Sequence, residues 1–226
     1  MNYYLRRLLT DEDLHLIREY AFNADYEDGL VSYDGSHDIK RVFQAVPSDY
    51  KKEMSSLIMA SLDRDKRFLG YTAAKTSGVP HFSRVNVGGY YKPHQDNHQN
   101  GNFSTTVFLS NPDEYEGGEL CLMTGMEIEK IKPPAGWAIT YPTGFSHAVA
   151  EVTSGVRHVS VFWSTSLLAD PALRDIIYDL WKAHEAIKDG KQPIAEVDLS
   201  IENCEDCPLF MISQVREKIL RTYHRR

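Results

Sequence analysis

The spacing of apolar residues changes twice along the chain. Thr10-Asp11-Glu12-Asp13 resembles a capping box with Asp in place of Glu, and Leu14, Ile17 and Ala21 follow at helical spacing. A first helix is therefore expected, ending within 23–29. A second starts near Ser48, with Met54, Leu57, Ile58 and Leu62 on one face. The stretch 31–47 between them shows no period and holds the turn signal Asp34-Gly35-Ser36.

From Val79 the period shortens to two. Strands are expected over 81–87, 104–109, 118–123, 127–131 and 137–141. Gly88-Gly89, Asn111-Pro112-Asp113, Pro133-Pro134-Ala135-Gly136 and Pro142-Thr143-Gly144 mark the turns between them. A last hairpin is expected from His147 to Trp163 around Thr153-Ser154-Gly155. Strands so spaced predict a β-sandwich or barrel. The helical period then returns after the N-cap and N1 pair Asp170-Pro171, with Leu173, Ile176, Ile177, Leu180 and Trp181 on one face. That helix ends by Gly190, 191–203 reads as loop, and a final helix begins near Pro208. The fold class is mainly β with flanking helices (α+β).

Composition narrows the function classes. With 226 residues, 42% apolar and 25% charged, the chain can bury a full core. Its net charge of −7 opposes non-specific attraction to nucleic acid or anionic membrane. No run reads as a signal peptide or approaches a membrane span, so a cytoplasmic protein is expected. Three cysteines do not make a disulfide framework. Cys204 and Cys207 have CxxC spacing but lack the second pair that a structural zinc site needs. The basic run 216–226 suits the negative end of the last helix dipole.

Candidate chemistry gathers in 90–163. Residues two apart on a strand share a face, so His94 and Asp96 project together, close enough to share one metal ion. Such a pair is common by itself; His147 from a distant strand would complete two histidines and a carboxylate. That set leaves coordination positions open, as in the facial triad of non-haem Fe(II) oxygenases. If the final hairpin forms with Gly155 left-handed, His147 faces Val161, and His147, Arg157, Val161 and Trp163 share a face. Arg157 would then lie ~13 Å from His147, a gap a small dicarboxylate and the arginine side chain can bridge. His98 is a rival ligand that strand geometry places at the pocket mouth or in solvent. Phosphate loops, GxSxG elbows and HExxH helices are absent.

The ordered text resembles the 2-oxoglutarate/Fe(II)-dependent dioxygenases of the prolyl 4-hydroxylase superfamily, and is similar to the bacterial PKHD-type hydroxylases. Its residues are Arg84, Tyr91-Lys92-Pro93-His94-Gln95-Asp96 and Thr106-Val107-Phe108-Leu109-Ser110-Asn111-Pro112. They continue as Glu116-Gly117-Gly118-Glu119-Leu120, Pro134-Ala135-Gly136, Tyr141-Pro142, His147, Gly155-Val156-Arg157 and Phe162-Trp163. The resemblance implies a double-stranded β-helix (jelly-roll, cupin-like) core over 79–168, within a dioxygenase domain of residues 1–190, followed by a helical extension at 191–226. It implies iron ligands His94, Asp96 and His147, and Arg157 on the distal carboxylate of 2-oxoglutarate. Tyr91, Thr106 and Trp163 would line the cosubstrate pocket. The implied cofactors are Fe(II), 2-oxoglutarate and O2, with ascorbate as an additional candidate.

The implied reaction hydroxylates a C–H bond, of a prolyl residue in a peptide or protein or of a free amino acid, with succinate and CO2 as coproducts. Peptide, protein and small-molecule substrates all stay open. The alternative is a cupin-like metal-binding or sensor domain without turnover, which has no need of Arg157. Two departures are visible. Val85 stands where the family usually has tyrosine, and Asn102-Phe103-Ser104 stands where relatives often carry arginine.

Overall fold

The structure is a computed structural model that describes residues 3–32, 38–188 and 208–223. The turn expected at 34–36, the loop at 191–203, the Cys204/Cys207 pair and the end of the basic run lie outside the described residues. The strands are β1 (Tyr4–Arg7), β2 (Tyr26–Asp28), β3 (Phe43–Ala45), β4 (Ala74–Ser77), β5 (His81–Val85), β6 (Tyr91–His94) and β7 (Phe103–Phe108). They continue as β8 (Tyr115–Gly117), β9 (Leu120–Met123), β10 (Ile128–Ile131), β11 (Trp137–Pro142), β12 (His147–Val149), β13 (Val152–Gly155) and β14 (Arg157–Ser166). The helices are α1 (Asp11–Asn23), α2 (Asp49–Arg64), α3 (Lys66–Thr72), α4 (Pro171–Lys188) and α5 (Pro208–Tyr223).

Two compact units divide the chain: Met1–Asp65 with Thr76–Thr165, and Lys66–Lys75 with Ser166–Arg226. In the first, one sheet has the order β1-β11-β7-β14-β5-β3-β2, with β4 also pairing with β14. A second sheet has the order β10-β9-β12-β6, and β8 and β13 form a separate ribbon. Period-two alternation turns Phe108, Ile139, Tyr141 and Val159 of the large sheet inward. They meet Leu120, Leu122 and Ile131 of the small one in a single buried cluster. Two sheets facing each other across a shared core form the jelly-roll.

The N-terminal helices form where their caps stand. Thr10 Oγ1 accepts from the Asp13 backbone N–H at 3.1 Å and Ser48 Oγ from that of Lys51 at 3.1 Å, each satisfying a donor the helix leaves open. Ile17 and Ala21 of α1, and Met54, Ile58 and Leu62 of α2, are buried as their spacing requires. Next to them, β1 carries the buried Arg6, which pairs with Asp65 at 2.8 Å and donates to Thr140 Oγ1 at 2.7 Å.

The final hairpin does not form. Gly155 is left-handed, with φ +71°, but β13 pairs with β8, and β12 and β14 belong to different sheets. A Cβ on Gly155 would lie 2.1 Å from the Glu114 carbonyl oxygen, so glycine lets the β8 backbone close on the turn. The chain therefore crosses from the small sheet to the large one between His147 and Arg157. Local turn chemistry suggested a pairing that long-range partners replaced.

In the second unit, α4 starts as expected: Asp170 Oδ1 accepts from the Ala172 backbone N–H at 2.8 Å. Its buried face is Ile176, Tyr178, Ala183 and Ala186, while Ile177 and Leu180 are exposed. Gly70 of α3 lies against the Trp181 indole, where a Cβ would approach to 2.4 Å. Lys218 of α5 pairs with Asp179 of α4.

Candidate metal centre

Sheet register brings the two histidines together. β12 lies between β6 and β9, and the Cα of His147 is opposite that of His94. Their rings are 4.3 Å apart, centroid to centroid. Each Nδ1 meets a backbone carbonyl two residues earlier, Lys92 O at 2.8 Å for His94 and Phe145 O at 3.0 Å for His147. A carbonyl only accepts, so both Nδ1 atoms carry the proton and both Nε2 lone pairs are left free. Burial, then the neighbouring His147, lowers the His94 pKa to about 4, which keeps that ring neutral at pH 7.

Asp96 lies just past the end of β6 rather than within a strand. Its Oδ1 is 3.8 Å from His94 Nε2 and its Oδ2 is 3.7 Å from His147 Nε2. One donor atom from each residue falls within a 4.8 Å group. Donors bound to one ion at ~2 Å lie roughly 3–4 Å apart, so small adjustments would let the three share one. Two imidazoles and one carboxylate suit a divalent transition metal and leave positions for further ligands.

The carboxylate is also held from the opposite sheet. Ser104 Oγ donates to Asp96 Oδ2 at 2.5 Å, and Trp163 Nε1 donates to the same oxygen at 2.9 Å. Ser104 and Trp163 are Cα partners across β7 and β14. Tyr91 stacks on the outer face of His94, with centroids 3.6 Å apart and planes 18° apart.

Arg157 starts β14 and is 3% exposed, yet no carboxylate pairs with it among the described residues. Its Nε has no partner, and the Tyr115 hydroxyl approaches the guanidinium without closing a hydrogen bond. Burial pulls the guanidinium pKa down, with Tyr115, Tyr141 and Glu119 opposing. A buried cation without a counterion is costly, and a ligand carboxylate would relieve that cost. Gly118, with φ +65°, makes room: a Cβ there would be 3.1 Å from Arg157 Cδ.

Between the histidines and Arg157 lies Tyr141. It is fully buried, edge-on to His147 at 5.2 Å, and hydrogen-bonded to Thr106. Burial and the charge of Asp96 raise its pKa, while Arg157 lowers it, so Tyr141 senses both ends of the site. The donor set thus fits a divalent metal, and the orphaned guanidinium fits an anionic cosubstrate.

Thr106, Arg157, Val161 and Trp163 do share one face of the large sheet, because β14 pairs Val161 with Thr106 and Trp163 with Ser104. His147 faces them from the small sheet instead of sitting across a hairpin, so the ~13 Å spacing derived from that hairpin has no basis here. Val85 is the Cα partner of Arg157 and is buried, so a methyl surface stands where a tyrosine is usual. Arg84 turns the other way, over the rings of Tyr26 and Phe43, with His158 as its Cα partner. The His98 side chain lies outside the described set.

Sequence reasoning did not pick out Ser104, Tyr115 or Tyr141 as site residues. Parity could have found Ser104, two residues before Thr106 on one strand. Tyr115 had no such signal, since its position depends on the β8–β13 pairing.

Comparison with known proteins agrees with this geometry. Residues 80–165 match the 2OG-Fe(II) oxygenase superfamily. A PKHD-type hydroxylase of Gluconacetobacter diazotrophicus is 32% identical over 212 residues, 88% of this chain and 92% of the relative. A PKHD-type hydroxylase of Thermosynechococcus vestitus is 32% identical over 203 residues, 85% and 91% of the two chains. A prolyl hydroxylase from Trichoplax adhaerens, solved with a hypoxia inducible factor peptide fragment, shares the fold. It has a TM-score of 0.60 at 16% identity, over 73% of this chain and 84% of that one. On sequence similarity over most of its length, the chain belongs to the 2-oxoglutarate/Fe(II) oxygenase superfamily, as an oxygenase of the PKHD-type hydroxylase group that uses Fe(II), 2-oxoglutarate and O2.

Proposed function

We propose that His94 Nε2, His147 Nε2 and the Asp96 carboxylate hold Fe(II), and that Arg157 binds the distal carboxylate of 2-oxoglutarate. The observation that carries this reading is the buried Arg157, unpaired with any carboxylate among the described residues, in the same barrel as two imidazoles whose Nδ1 atoms face backbone carbonyls. Bound iron and 2-oxoglutarate together supply the activation of O2. The chain supplies binding, orientation and shelter from water. Arg157 offers a fork that matches a carboxylate. Thr106 and Tyr141 line the space between anchor and ligands, and Trp163 closes it beside Asp96. Tyr91 keeps the His94 ring in plane by stacking on it.

The proposed substrate is a prolyl residue of a peptide or protein, with succinate and CO2 as coproducts. Support comes from the PKHD-type relatives and from the prolyl hydroxylase with the same fold. The test incubates the enzyme with Fe(II), 2-oxoglutarate, O2 and a panel of proline-containing peptides and free amino acids. Mass spectrometry then locates any added oxygen. One oxygen on proline per succinate formed is expected. Succinate formed with oxygen placed only on non-prolyl compounds would overturn the substrate assignment and leave the dioxygenase intact.

A further inference from the structure

The Asp96 carboxylate meets side chains of both sheets. Its own segment follows β6 of the small sheet, whereas both its donors belong to the large sheet. Ser104 and Trp163 face each other in the β7–β14 register and converge on one oxygen, Oδ2, at 2.5 and 2.9 Å. A carboxylate oxygen has two good lone-pair directions, and two donors occupy both. Oδ1 is 3.8 Å from His94 Nε2 and Oδ2 3.7 Å from His147 Nε2, and among the described residues Oδ1 has no such hydrogen-bond donor. With Oδ2 held, the carboxylate cannot rotate about its Cβ–Cγ bond without giving up two hydrogen bonds, both to a charged group.

We infer that Ser104 and Trp163 are positioning residues that clamp Oδ2 and so fix the orientation in which the Asp96 carboxylate meets the iron. This rests on the iron assignment above. It also gives Trp163 a role other than lining the cosubstrate pocket, and gives Ser104, at a departure from the family pattern, a specific one. The clamp therefore serves the site by holding a proposed ligand in one orientation before metal arrives.

Outer-sphere partners of metal ligands typically set metal affinity by about 10- to 100-fold. The test measures anaerobic Fe(II) binding by calorimetry, and the melting temperature of the metal-free protein, for wild type, Ser104→Ala, Ser104→Thr and Trp163→Phe. Ser104→Ala and Trp163→Phe are expected to bind Fe(II) about 10- to 100-fold more weakly at an unchanged metal-free melting temperature. Ser104→Thr, which keeps the hydroxyl, should restore the affinity. The charge-transfer band of the iron–2-oxoglutarate complex should shift in both weakened variants, because the ligand field at iron changes. Unchanged affinity and band, or a loss of affinity only in step with a lower melting temperature, would overturn the clamp. Wild-type protein that takes up no Fe(II) would overturn the iron assignment and the clamp with it.

Discussion

Replacing His147 by alanine is expected to abolish turnover and most Fe(II) binding. The side chain is 5% exposed, and its ring position is set twice, by the Cα pairing with His94 and by the Nδ1 bond to Phe145 O. The ring of Tyr141 packs edge-on against it at 5.2 Å. Loss of one of three proposed ligands should weaken Fe(II) binding by more than the roughly 10- to 100-fold that outer-sphere changes cost. Anaerobic calorimetry with Fe(II) and a succinate assay measure the two effects. Asp96→Ala should behave alike. A His147→Ala protein that keeps wild-type iron affinity would show that the ligand set is wrong.

Replacing Arg157 by methionine should separate cosubstrate from metal. Fe(II) affinity is expected to stay near wild type, since Arg157 is on the large sheet and its neighbours are Val85, Tyr115, Tyr141 and Glu119 rather than the proposed ligands. Affinity for 2-oxoglutarate should fall by about 2–5 kcal/mol, the cost of removing one partner of a buried charge pair. That corresponds to roughly 30-fold or more. The cosubstrate-free protein should be at least as stable as wild type, because methionine removes a buried, uncompensated guanidinium at similar volume. Thermal melts and 2-oxoglutarate titrations check both parts. Equal loss of iron and cosubstrate would contradict the division of roles.

Much of this site was legible because its chemistry follows short-range rules. The period of two placed Arg157, Val161 and Trp163 on one face without knowledge of any partner strand. The spacing of His94 and Asp96 put two donors within reach of one ion, even though the strand ends at His94. Caps at Thr10, Ser48 and Asp170 announced their helices by side chains that satisfy open backbone donors.

What stayed hidden depends on pairing across long stretches of chain. Thr153-Ser154-Gly155 has the residues of a hairpin turn, but β13 finds β8 and β14 finds β5 and β7. The strands β2 and β3 are only three residues each, too short to display a period within 23–47. Gly117 and Gly118 stood in the sequence as part of a resemblance. In the structure they have physical reasons: both are left-handed, and a Cβ on Gly117 would lie 2.0 Å from the Glu151 carbonyl oxygen while Gly118 borders Arg157. Ser104 illustrates the same limit, since its hydroxyl gains a purpose only when Asp96 arrives from the other sheet.

The central claim is that one barrel carries both an Fe(II) site made by His94, Asp96 and His147 and a carboxylate site made by Arg157. The most direct test adds Fe(II) and then 2-oxoglutarate to the anaerobic wild-type protein and follows the visible spectrum. The account predicts a weak metal-to-ligand charge-transfer band that needs both additions, is absent in His147→Ala, and demands far more 2-oxoglutarate in Arg157→Met. A folded wild-type protein that gives no band with both present would contradict it.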